Sequence, residues 1–363
     1  MEVRVDNGYV YLRLPANIKQ KNVPSILFSA HLDTTPDAPA PKAGFVPQII
    51  ERYNGEEIRI GDKLTLDTIQ EQQLKQCLGH KLIFARGDSY LGGDCRSGVA
   101  IVMQLFETLA ANPKIQHGDV YGLICPNEDI GQAADGIKWE QNIPDLVYDL
   151  DGGGREIIGS NFTAAQYTIT FHGNLEHPSL AADNGFADAL NAAARFIANL
   201  SAATTPENSR GRSGYIHPWR LTMKEKGAVA EVLVRLRYFS KEEGDLLQSL
   251  ITDALKQCAL TNPRVKIDPV FVKQYANVEE SMNSQCLKYA LDAYKACGIT
   301  DAAPIALRAG ITAAMFPISS PLPGGVCLGT GQHREHSLYE YLSVDEMAKA
   351  YDIALEIVKG VAK

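Results

Sequence analysis

The sequence lacks the features that mark secreted and disulfide-stabilised proteins. Its seven cysteines are odd in number and include no C-x-x-C pair. Most of them lie within apolar runs, where cysteine behaves as a small hydrophobic residue, and this usage is typical of a reducing compartment. The N-terminus has no basic segment followed by an apolar one, so no signal peptide is predicted. We therefore expect a cytoplasmic protein.

Long apolar runs and an excess of basic residues are also missing. The longest uncharged stretch, 309–332, is broken by three prolines and a Gly324-Gly325 pair, which argues against a membrane-spanning helix. Lys and Arg number 35 against 43 Asp and Glu, a formal net charge of −8. Proteins that bind phosphate backbones or anionic lipid need a basic face. We expect neither a nucleic-acid partner nor a membrane partner.

The composition is that of a folded protein. Hydrophobic residues make up 45% and charged residues 21% of the 363 positions, which are ordinary globular proportions and exclude a disordered chain. The length predicts about two domains.

Residues 1–14 alternate like a strand with an Asn7-Gly8 turn inside it. The glycines of 152–154 lack the Lys and Ser/Thr of a phosphate-binding loop, so no nucleotide-dependent activity is indicated.

Several apolar runs with strand character end in acidic residues or histidine. These runs are 25–30 before His31-Leu32-Asp33, 120–125 before Glu128-Asp129, and 146–150 before Asp151. Between the first two, 99–110 has the i, i+3, i+4, i+7 spacing of a helix. Strands that alternate with helices predict an α/β fold with covered sheet faces. Ligands bind beyond the carboxyl ends of strands in such sheets, where these polar residues fall.

The pattern changes from about residue 162. Strand-like alternation occupies 166–171, 228–238 and 265–272, and helical periodicity occupies 186–200 and 242–260. This order of elements predicts a separate two-layer α+β domain of about 110 residues. Amphipathic helices of the first domain follow at 279–297 and 344–358. We therefore divide the chain into one domain formed by 1–161 and 273–363 and an inserted domain, 162–272.

The polar residues at the strand ends form a set of metal-ligand type. In chain order the set is His31-x-Asp33, Asp94, Glu128-Asp129, Asp151 and His336. Two histidines and several carboxylates without thiolates suit Zn²⁺, with Mn²⁺ or Co²⁺ as alternatives. Each member alone has a structural explanation, such as a helix N-cap for Asp94 or a hydrogen-bonded core histidine for His31. The whole set at strand ends and loops indicates a metal site.

Six motifs in this order resemble the M20 metallopeptidase family, especially its peptidase T (tripeptide aminopeptidase) branch. They are HLDTTPD at 31–37, LGGD at 91–94, PNEDIG at 126–131, DLDGGG at 149–154, GNLEHP at 173–178 and HSLYE at 336–340. The resemblance implies an α/β catalytic domain of the zinc-exopeptidase type with a mixed central sheet, interrupted by a two-layer α+β lid. It also implies that a metal-bound water hydrolyses the N-terminal peptide bond of short peptides, and that two copies pair through the lid as a homodimer.

The resemblance further implies roles for the residues of the metal-ligand set. Asp94 would bridge two zinc ions, with His31 and Asp151 completing one site and Asp129 and His336 the other. His336 is implied as the ligand because it stands four residues before a glutamate, as in the family.

Two further acids next to the implied ligands also receive roles. The resemblance implies that Glu128 is the general base that takes a proton from the attacking water. Asp33 would support His31, because a ligating histidine usually donates its other N–H to a carboxylate. Two metal ions about 3.5–4 Å apart can polarise the scissile carbonyl and orient the substrate.

Three residues are implied to contact the substrate. His177 would stabilise the oxyanion, and Arg237 and Arg308 would bind a substrate carboxylate, a task that suits the planar guanidinium. The alternatives are an exposed loop histidine for His177 and a solvated strand residue for Arg237.

The sequence departs from the peptidase T pattern at several positions. Asp129 stands where that branch has Glu, and Cys95 stands where it has Asp, which places a thiol beside the implied metals. Residues 309–313 read Ala-Gly-Ile-Thr-Ala where the family has Gly-Gly-Thr-Asp-Gly, so a substrate-facing acid is absent. A dipeptidase, a carboxypeptidase, an N-acyl amino acid hydrolase or an inactive metal- or peptide-binding homologue therefore remain alternatives.

The helical segment that family members carry before the strand near Val3 is also absent, so we expect a shortened start or a sheet face covered in another way.

Overall fold

The helices and strands are those of a computed structural model that describes residues 1–41 and 44–363. The strands are β1 (Glu2–Asp6), β2 (Tyr9–Leu14), β3 (Ile26–His31), β4 (Gln48–Ile50), β5 (Ile58–Ile60), β6 (Leu64–Leu66), β7 (Leu82–Phe84), β8 (Val120–Cys125), β9 (Leu146–Gly153), β10 (Ile157–Asn161), β11 (Thr163–His172), β12 (Tyr215–Lys224), β13 (Val229–Tyr238), β14 (Lys266–Tyr275), β15 (Pro304–Leu307), β16 (Val326–His333) and β17 (Tyr341–Ser343). The α-helices are α1 (Gly93–Ala111), α2 (Ala189–Ala198), α3 (Lys241–Thr261), α4 (Gln285–Ala296), α5 (Thr312–Ser319) and α6 (Val344–Val361). Short 3-10 helices occupy Gln72–Cys77, Pro178–Leu180, Ala202–Thr204, Pro206–Asn208, Glu225–Gly227 and Val278–Glu280.

The chain divides into two compact units. The larger unit comprises Met1–Ser160, Val278–Ile305 and Ile311–Lys363, and the smaller unit comprises Asn161–Asn277 and Ala306–Gly310. The smaller unit extends beyond residue 272 because β14 continues to Tyr275. It also includes 306–310, a segment that the sequence division assigns to the other domain.

A large mixed sheet forms the centre of the larger unit. Its main path runs β1-β2-β8-β3-β9-β16-β17-β7-β4, and β10 pairs with β16 beside this path. The four central strands β8, β3, β9 and β16 are parallel to one another. The strands towards both edges pair in the antiparallel sense, beginning with the hairpin of β1 and β2 around Asn7-Gly8. The predicted mixed central sheet is therefore confirmed.

The central strands are almost entirely buried because helices and loops cover them. Every residue of β3, β8 and β16 is buried, which is typical of parallel strands with two covered faces. Apolar residues spaced along α1, such as Ile101, Leu105 and Leu109, pack with α4 and α6 in one core with these strands. This packing fixes the four parallel strands and therefore the positions of their carboxyl ends.

The carboxyl ends of the parallel strands carry the polar residues singled out in the sequence. β3 ends at His31, β8 is followed by Glu128, β9 contains Asp151, and β16 leads into His336. Parallel strands end at the same edge of a sheet, so these side chains converge without a long connecting structure. The start of α1 brings Asp94 to the same edge.

The smaller unit is a four-stranded antiparallel sheet with two helices. The strand order is β12-β13-β11-β14, and α2 and α3 share its hydrophobic core. The sequence pattern missed β12, so the predicted order of elements was one strand short. This strand lies at the edge of the sheet, contains Pro218, and has mostly exposed or half-buried side chains. An edge strand of this kind loses the strict polar and apolar alternation that a half-buried strand shows.

The structure confirms the predicted fold class, a mixed α/β protein with a large mixed sheet and a separate antiparallel sheet. Among the described residues, no helix combines the length and the apolar character that a membrane crossing requires.

Candidate metal centre

The carboxylate of Asp94 lies between two histidines. Its Oδ1 is 2.9 Å from His31 Nε2, and its Oδ2 is 3.0 Å from His336 Nε2. The two histidines come from the ends of different strands, and Asp94 comes from the first turn of α1 after Gly92, whose φ is +71°. Each oxygen of one carboxylate therefore faces a different imidazole, which is the arrangement that a ligand shared by two metal ions requires.

Each histidine has a second carboxylate beside it. Asp151 Oδ1 is 3.4 Å from His31 Nε2, and Asp129 Oδ1 is 2.9 Å from His336 Nε2. The structure thus gathers the five predicted ligands into two groups that share Asp94. This grouping matches the division that the sequence resemblance implies.

Glu128 lies beside this group and is farther from the histidines than the other acids. Its Oε2 is 4.0 Å from His31 Nε2, and its side chain is only 12% exposed. The preceding residue, Asn127, has a φ of +62°, a conformation that turns the chain sharply after β8. Glu128 therefore lies beside the ligand group, and its role as general base stays a prediction.

Asp33 connects the histidine of one strand with the turn that follows another. Its Oδ1 lies 3.4 Å from His31 Nδ1 and accepts the backbone N–H of Glu128 at 3.0 Å. Its Oδ2 accepts the backbone N–H of Asp129 at 3.1 Å. One carboxylate therefore lies beside the imidazole and holds the turn that carries Glu128 and Asp129.

The role of Glu340 was not predicted from the sequence, where this residue only marks the position of His336. The Glu340 side chain is buried, its Oε2 accepts the N–H of Gly92 at 2.9 Å, and its Oε1 accepts the N–H of Asp94 at 3.1 Å. Glu340 therefore fixes the loop that presents Asp94 and belongs to the same loop as His336. The Glu340 carboxylate thus joins the loop that carries His336 to the distant segment that carries Asp94.

Replacement of Glu340 by glutamine tests this positioning role. An amide can accept only one of the two N–H bonds with its oxygen and presents N–H groups to the other, so the Asp94 loop loses one anchor. We expect metal affinity to fall about 10–100-fold at both positions, as for other residues that orient ligands. Titration with metal under a competing chelator measures this, with Glu242→Gln in the exposed first turn of α3 as the control. Unchanged affinity would show that Glu340 does not position Asp94.

The electrostatics of the centre reflect five acids around two histidines. Burial and the charge of Asp151 raise the pKa of Glu128 well above its usual range. Burial also raises the pKa of Asp151, which His31 offsets only in part. Hydrogen bonds to Asp129 and Asp94 raise the pKa of His336 to about 11. Burial thus disfavours the charged form of the carboxylates, and the neighbouring carboxylates favour the charged form of His336.

The residues present fit a pair of divalent cations. Asp129 Oδ2 and Asp151 Oδ1 are buried and form no hydrogen bond within the described part of the chain. Buried polar atoms normally have partners, so these two oxygens are suited to contact a divalent cation. Imidazole and carboxylate donors suit Zn²⁺, Mn²⁺ or Co²⁺.

Cys95 lies close to this centre, as the sequence indicated. One ligand atom each from His31, Cys95 and Asp151 lie within 4.8 Å of one another. The Cys95 thiol is fully buried and lies 2.7 Å from the carbonyl oxygen of Leu150, to which it donates. The peptide bond between Asp94 and Cys95 is cis.

The three predicted substrate-contacting residues belong to the smaller unit. His177 is exposed, and its Nδ1 lies 2.7 Å from Ser179 Oγ. The Arg237 guanidinium donates to the carbonyl oxygen of Leu236 at 2.8 Å, and its Cζ lies 5.7 Å from the centre of the Tyr275 ring. Their roles towards a substrate stay predictions.

Arg308 is already engaged within the smaller unit. Its guanidinium donates to the carbonyl oxygens of Gly211 and Ser213 at 2.8 and 3.0 Å and to Ser209 Oγ at 2.9 Å. Its Cζ also lies 4.8 Å from the centre of the Phe162 ring. Arg308 therefore holds the 209–213 loop, and any substrate carboxylate would compete with these carbonyl oxygens.

Comparison with known proteins assigns the chain to a family. It is 33% identical over 366 residues to peptidase T of Shewanella pealeana, across 99% of this chain and 86% of that protein. It is 31% identical to peptidase T of Clostridium perfringens, across 100% of this chain and 88% of that protein. The chain belongs to the peptidase T family. No protein-family model matches it.

Solved structures show the same fold at lower identity. Aminopeptidase PepT of Bacillus cereus has a TM-score of 0.73 and 20% identity, across 100% of this chain and 89% of that chain. A Bacillus subtilis dinuclear metal binding peptidase of the M20 family has a TM-score of 0.61 and 13% identity, across 99% and 88% of the two chains. The predicted family and fold class are confirmed, and with them the prediction that this peptidase T relative is a metal-dependent peptidase.

Proposed function

We propose that this chain is an aminopeptidase that uses two zinc ions to remove the N-terminal residue from short peptides, tripeptides in the first place. The observation that carries the proposal is the position of Asp94, whose two carboxylate oxygens face His31 and His336 separately. A single carboxylate between two sets of ligands is suited to two ions held close together. Relatives named peptidase T and a Staphylococcus aureus tripeptidase of the same fold support the substrate class.

The ligands would be divided around Asp94. His31 and Asp151 would hold one ion, Asp129 and His336 the other, and Asp94 both. When bound, the ions would supply Lewis-acid polarisation of the scissile carbonyl and of a water molecule.

Glu128 performs the proton transfer in this proposal. Its side chain is mostly buried and lies 4.0 Å from His31 Nε2, beside the proposed ligands. It accepts a proton from the attacking water and donates it to the leaving amine, which are the two tasks of a general base that acts next as a general acid. Asp33 keeps Glu128 in place through its bond to the Glu128 backbone N–H.

Residues 309–313, which follow Arg308, depart from the peptidase T sequence pattern, and we infer that this segment changes the contacts with substrate. Ala313 donates its N–H to Asp149 Oδ2 at 3.0 Å, and Thr312 Oγ1 lies 3.4 Å from Asp151 Oδ2. The segment is thus hydrogen-bonded to buried carboxylates, and its own sequence, Ala-Gly-Ile-Thr-Ala, contains no acidic residue that could contact a substrate. Recognition of the free amino group of a substrate would then depend on other residues. We therefore expect this chain to differ from its relatives mainly in which short peptides it prefers.

Metal content and substrate hydrolysis together test the proposal. Purified protein is loaded with Zn²⁺, Mn²⁺ or Co²⁺, its metal content is determined by mass spectrometry, and tripeptides, dipeptides and N-acyl amino acids are offered as substrates. We expect release of the N-terminal residue from tripeptides, with the highest rate for the zinc-loaded protein. Cleavage of dipeptides or N-acyl amino acids alone would replace the proposal by a different hydrolase of the same fold. Binding without any cleavage would indicate an inactive homologue.

A further inference from the structure

A second group of metal-ligand side chains lies in the larger unit and shares no residue with the centre described above. Cys77, His80 and Glu346 each contribute one ligand atom, and these atoms lie within 4.8 Å of one another. His31, Asp94 and Asp129 at the first centre meet the same distance limit. Cys77 and Glu346 are buried and His80 is half-buried. Thiolate, imidazole and carboxylate are the three donor types that zinc takes in proteins.

Cys77 and His80 are separated by two residues in a hydrogen-bonded turn. The turn ends the Gln72–Cys77 helix, and the N–H of His80 donates to the carbonyl oxygen of Cys77 at 3.0 Å. Gly79 has a φ of +85°, which permits the tight reversal, and its N–H donates to the carbonyl oxygen of Tyr53 at 2.7 Å. The N–H of Tyr53 in turn donates to the carbonyl oxygen of His80 at 2.8 Å. Two ligands are therefore held by backbone bonds that need no metal.

The same turn is fastened to the first turn of α6, which carries Glu346. The N–H of Lys81 donates to Asp345 Oδ2 at 2.7 Å, and the N–H of Val344 donates to the carbonyl oxygen of Lys81 at 3.0 Å. His80 Nδ1 lies 2.9 Å from Oγ of Ser343, the N-cap residue of α6. The third ligand is thus positioned by the bonds that join the turn to the helix.

The partners of Glu346 leave it able to take a metal. Its Oε2 lies 2.6 Å from His333 Nε2, and its Oε1 lies 3.2 Å from Arg155 Nε. A carboxylate has about four acceptor positions, so these contacts do not exhaust it. Carboxylates that bind metals are commonly hydrogen-bonded in this way, which fixes their orientation. His333 is itself engaged at both nitrogens, since its Nδ1 lies 2.7 Å from Gln73 Oε1.

We propose that Cys77, His80 and Glu346 form a structural zinc site, with a water molecule as the fourth ligand, that fastens the Cys77–His80 turn to the start of α6. The zinc–sulfur bond forms as the thiol loses its proton to solvent. Burial and the charge of Glu346 raise the pKa of Cys77 to about 12, so the proton is present until the metal displaces it. This site does not depend on the proposed peptidase activity, because its ligands lie outside that centre.

Zinc content of variants tests the proposal. Each full-length protein is equilibrated with zinc, freed of excess metal and measured by mass spectrometry. We expect about three zinc ions in the wild type and about two in His80→Asn, since one donor of the site is lost. His172→Asn, which changes an exposed histidine of the smaller unit, keeps the wild-type content. Equal zinc content in His80→Asn and the wild type would overturn the site.

A cobalt spectrum identifies the sulfur ligand independently of variant stoichiometry. Cobalt bound to a thiolate gives a sulfur-to-metal charge-transfer band in the near ultraviolet. We expect this band in the wild type and in Cys95→Ser, which removes the thiol beside the first centre, and its loss in Cys77→Ser. Should Cys77→Ser fail to fold, His80→Asn provides the same comparison through a half-buried side chain. Absence of the band in the wild type, or its loss in Cys95→Ser alone, would contradict ligation by Cys77.

The failure of this site can be told apart from a failure of the first centre. In Asp94→Asn, which damages the first centre, about one zinc ion should remain and should raise the melting temperature by several degrees, because a ligand of the folded state stabilises it. In Asp94→Asn combined with His80→Asn, zinc should no longer change the melting temperature. An equal zinc-dependent shift in both proteins would refute the structural zinc site whatever the activity of the enzyme.

Discussion

Replacement of Glu128 by glutamine lowers kcat about 10²–10⁴-fold, the range that a positioned general base contributes, and leaves the metal content unchanged. Glutamine has nearly the same shape and can still be buried at this position, but its amide cannot accept the proton of the attacking water. The side chain lies 4.0 Å from His31 Nε2, farther than Asp94 at 2.9 Å and Asp151 at 3.4 Å. Its loss should therefore affect proton transfer and not ligation.

Parallel measurements of kcat, KM and bound metal in the Glu128 variants separate these two roles. A fall in kcat with little change in KM is the signature of an interaction made in the transition state. Glu128→Ala should behave in the same way if its cavity is tolerated. Turnover at the wild-type rate would assign the base to another residue, and a loss of metal would make Glu128 a ligand. The matched comparison is Glu340→Gln, for which we expect weaker metal binding and a kcat that recovers at high metal concentration.

The centre could be predicted from sequence where its residues follow apolar strands directly. His31 ends β3, Glu128 follows β8, and Asp151 lies in β9, so each polar residue interrupts or follows a run of buried residues. Such a signal is local. Because parallel strands end at one edge, the local signal also predicted that these residues would meet.

The missed features depend on contacts that no local pattern reports. Glu340 acts through two backbone N–H groups 246 and 248 residues earlier in the chain, and a single loop glutamate carries no sign of that contact. β12 lies at a sheet edge with few buried side chains, so its alternation is weak. The short strands β4 to β7 were not predicted either, since runs of three residues give no resolved period.

The group of Cys77, His80 and Glu346 is a further feature that local sequence patterns could not predict. The spacing of Cys77 and His80 is visible in the sequence, whereas their closeness to Glu346 arises only when the turn packs against α6. At the first centre the family motifs supplied the missing distance information. No motif did so here, which is why this group is found only in three dimensions.

Replacement of Asp94 by asparagine should have the other large effect, a loss of both ions of the first centre and a fall in kcat/KM of about 10³-fold or more. Lewis-acid stabilisation by metal ions is worth several kcal/mol, and about 4 kcal/mol corresponds to that factor. Asparagine keeps one oxygen, which can face His31 or His336 but not both, and its amide group cannot bridge two cations. Loss of either ion alone would show that Asp94 belongs to one site.

The fold should survive this change, because the contacts that hold the Asp94 loop are made by its backbone. The N–H of Asp94 donates to Glu340, and the loop remains anchored at Gly92 as well. We therefore expect circular dichroism like that of the wild type, and the control Asp352→Asn on the exposed part of α6 should keep both metal and activity. Asp94→Asn with a full complement of ions would remove the bridging carboxylate from the mechanism. The shared position of Asp94 between His31 and His336 would then be a structural contact, and the assignment of Glu128 would have to stand on its kinetics alone.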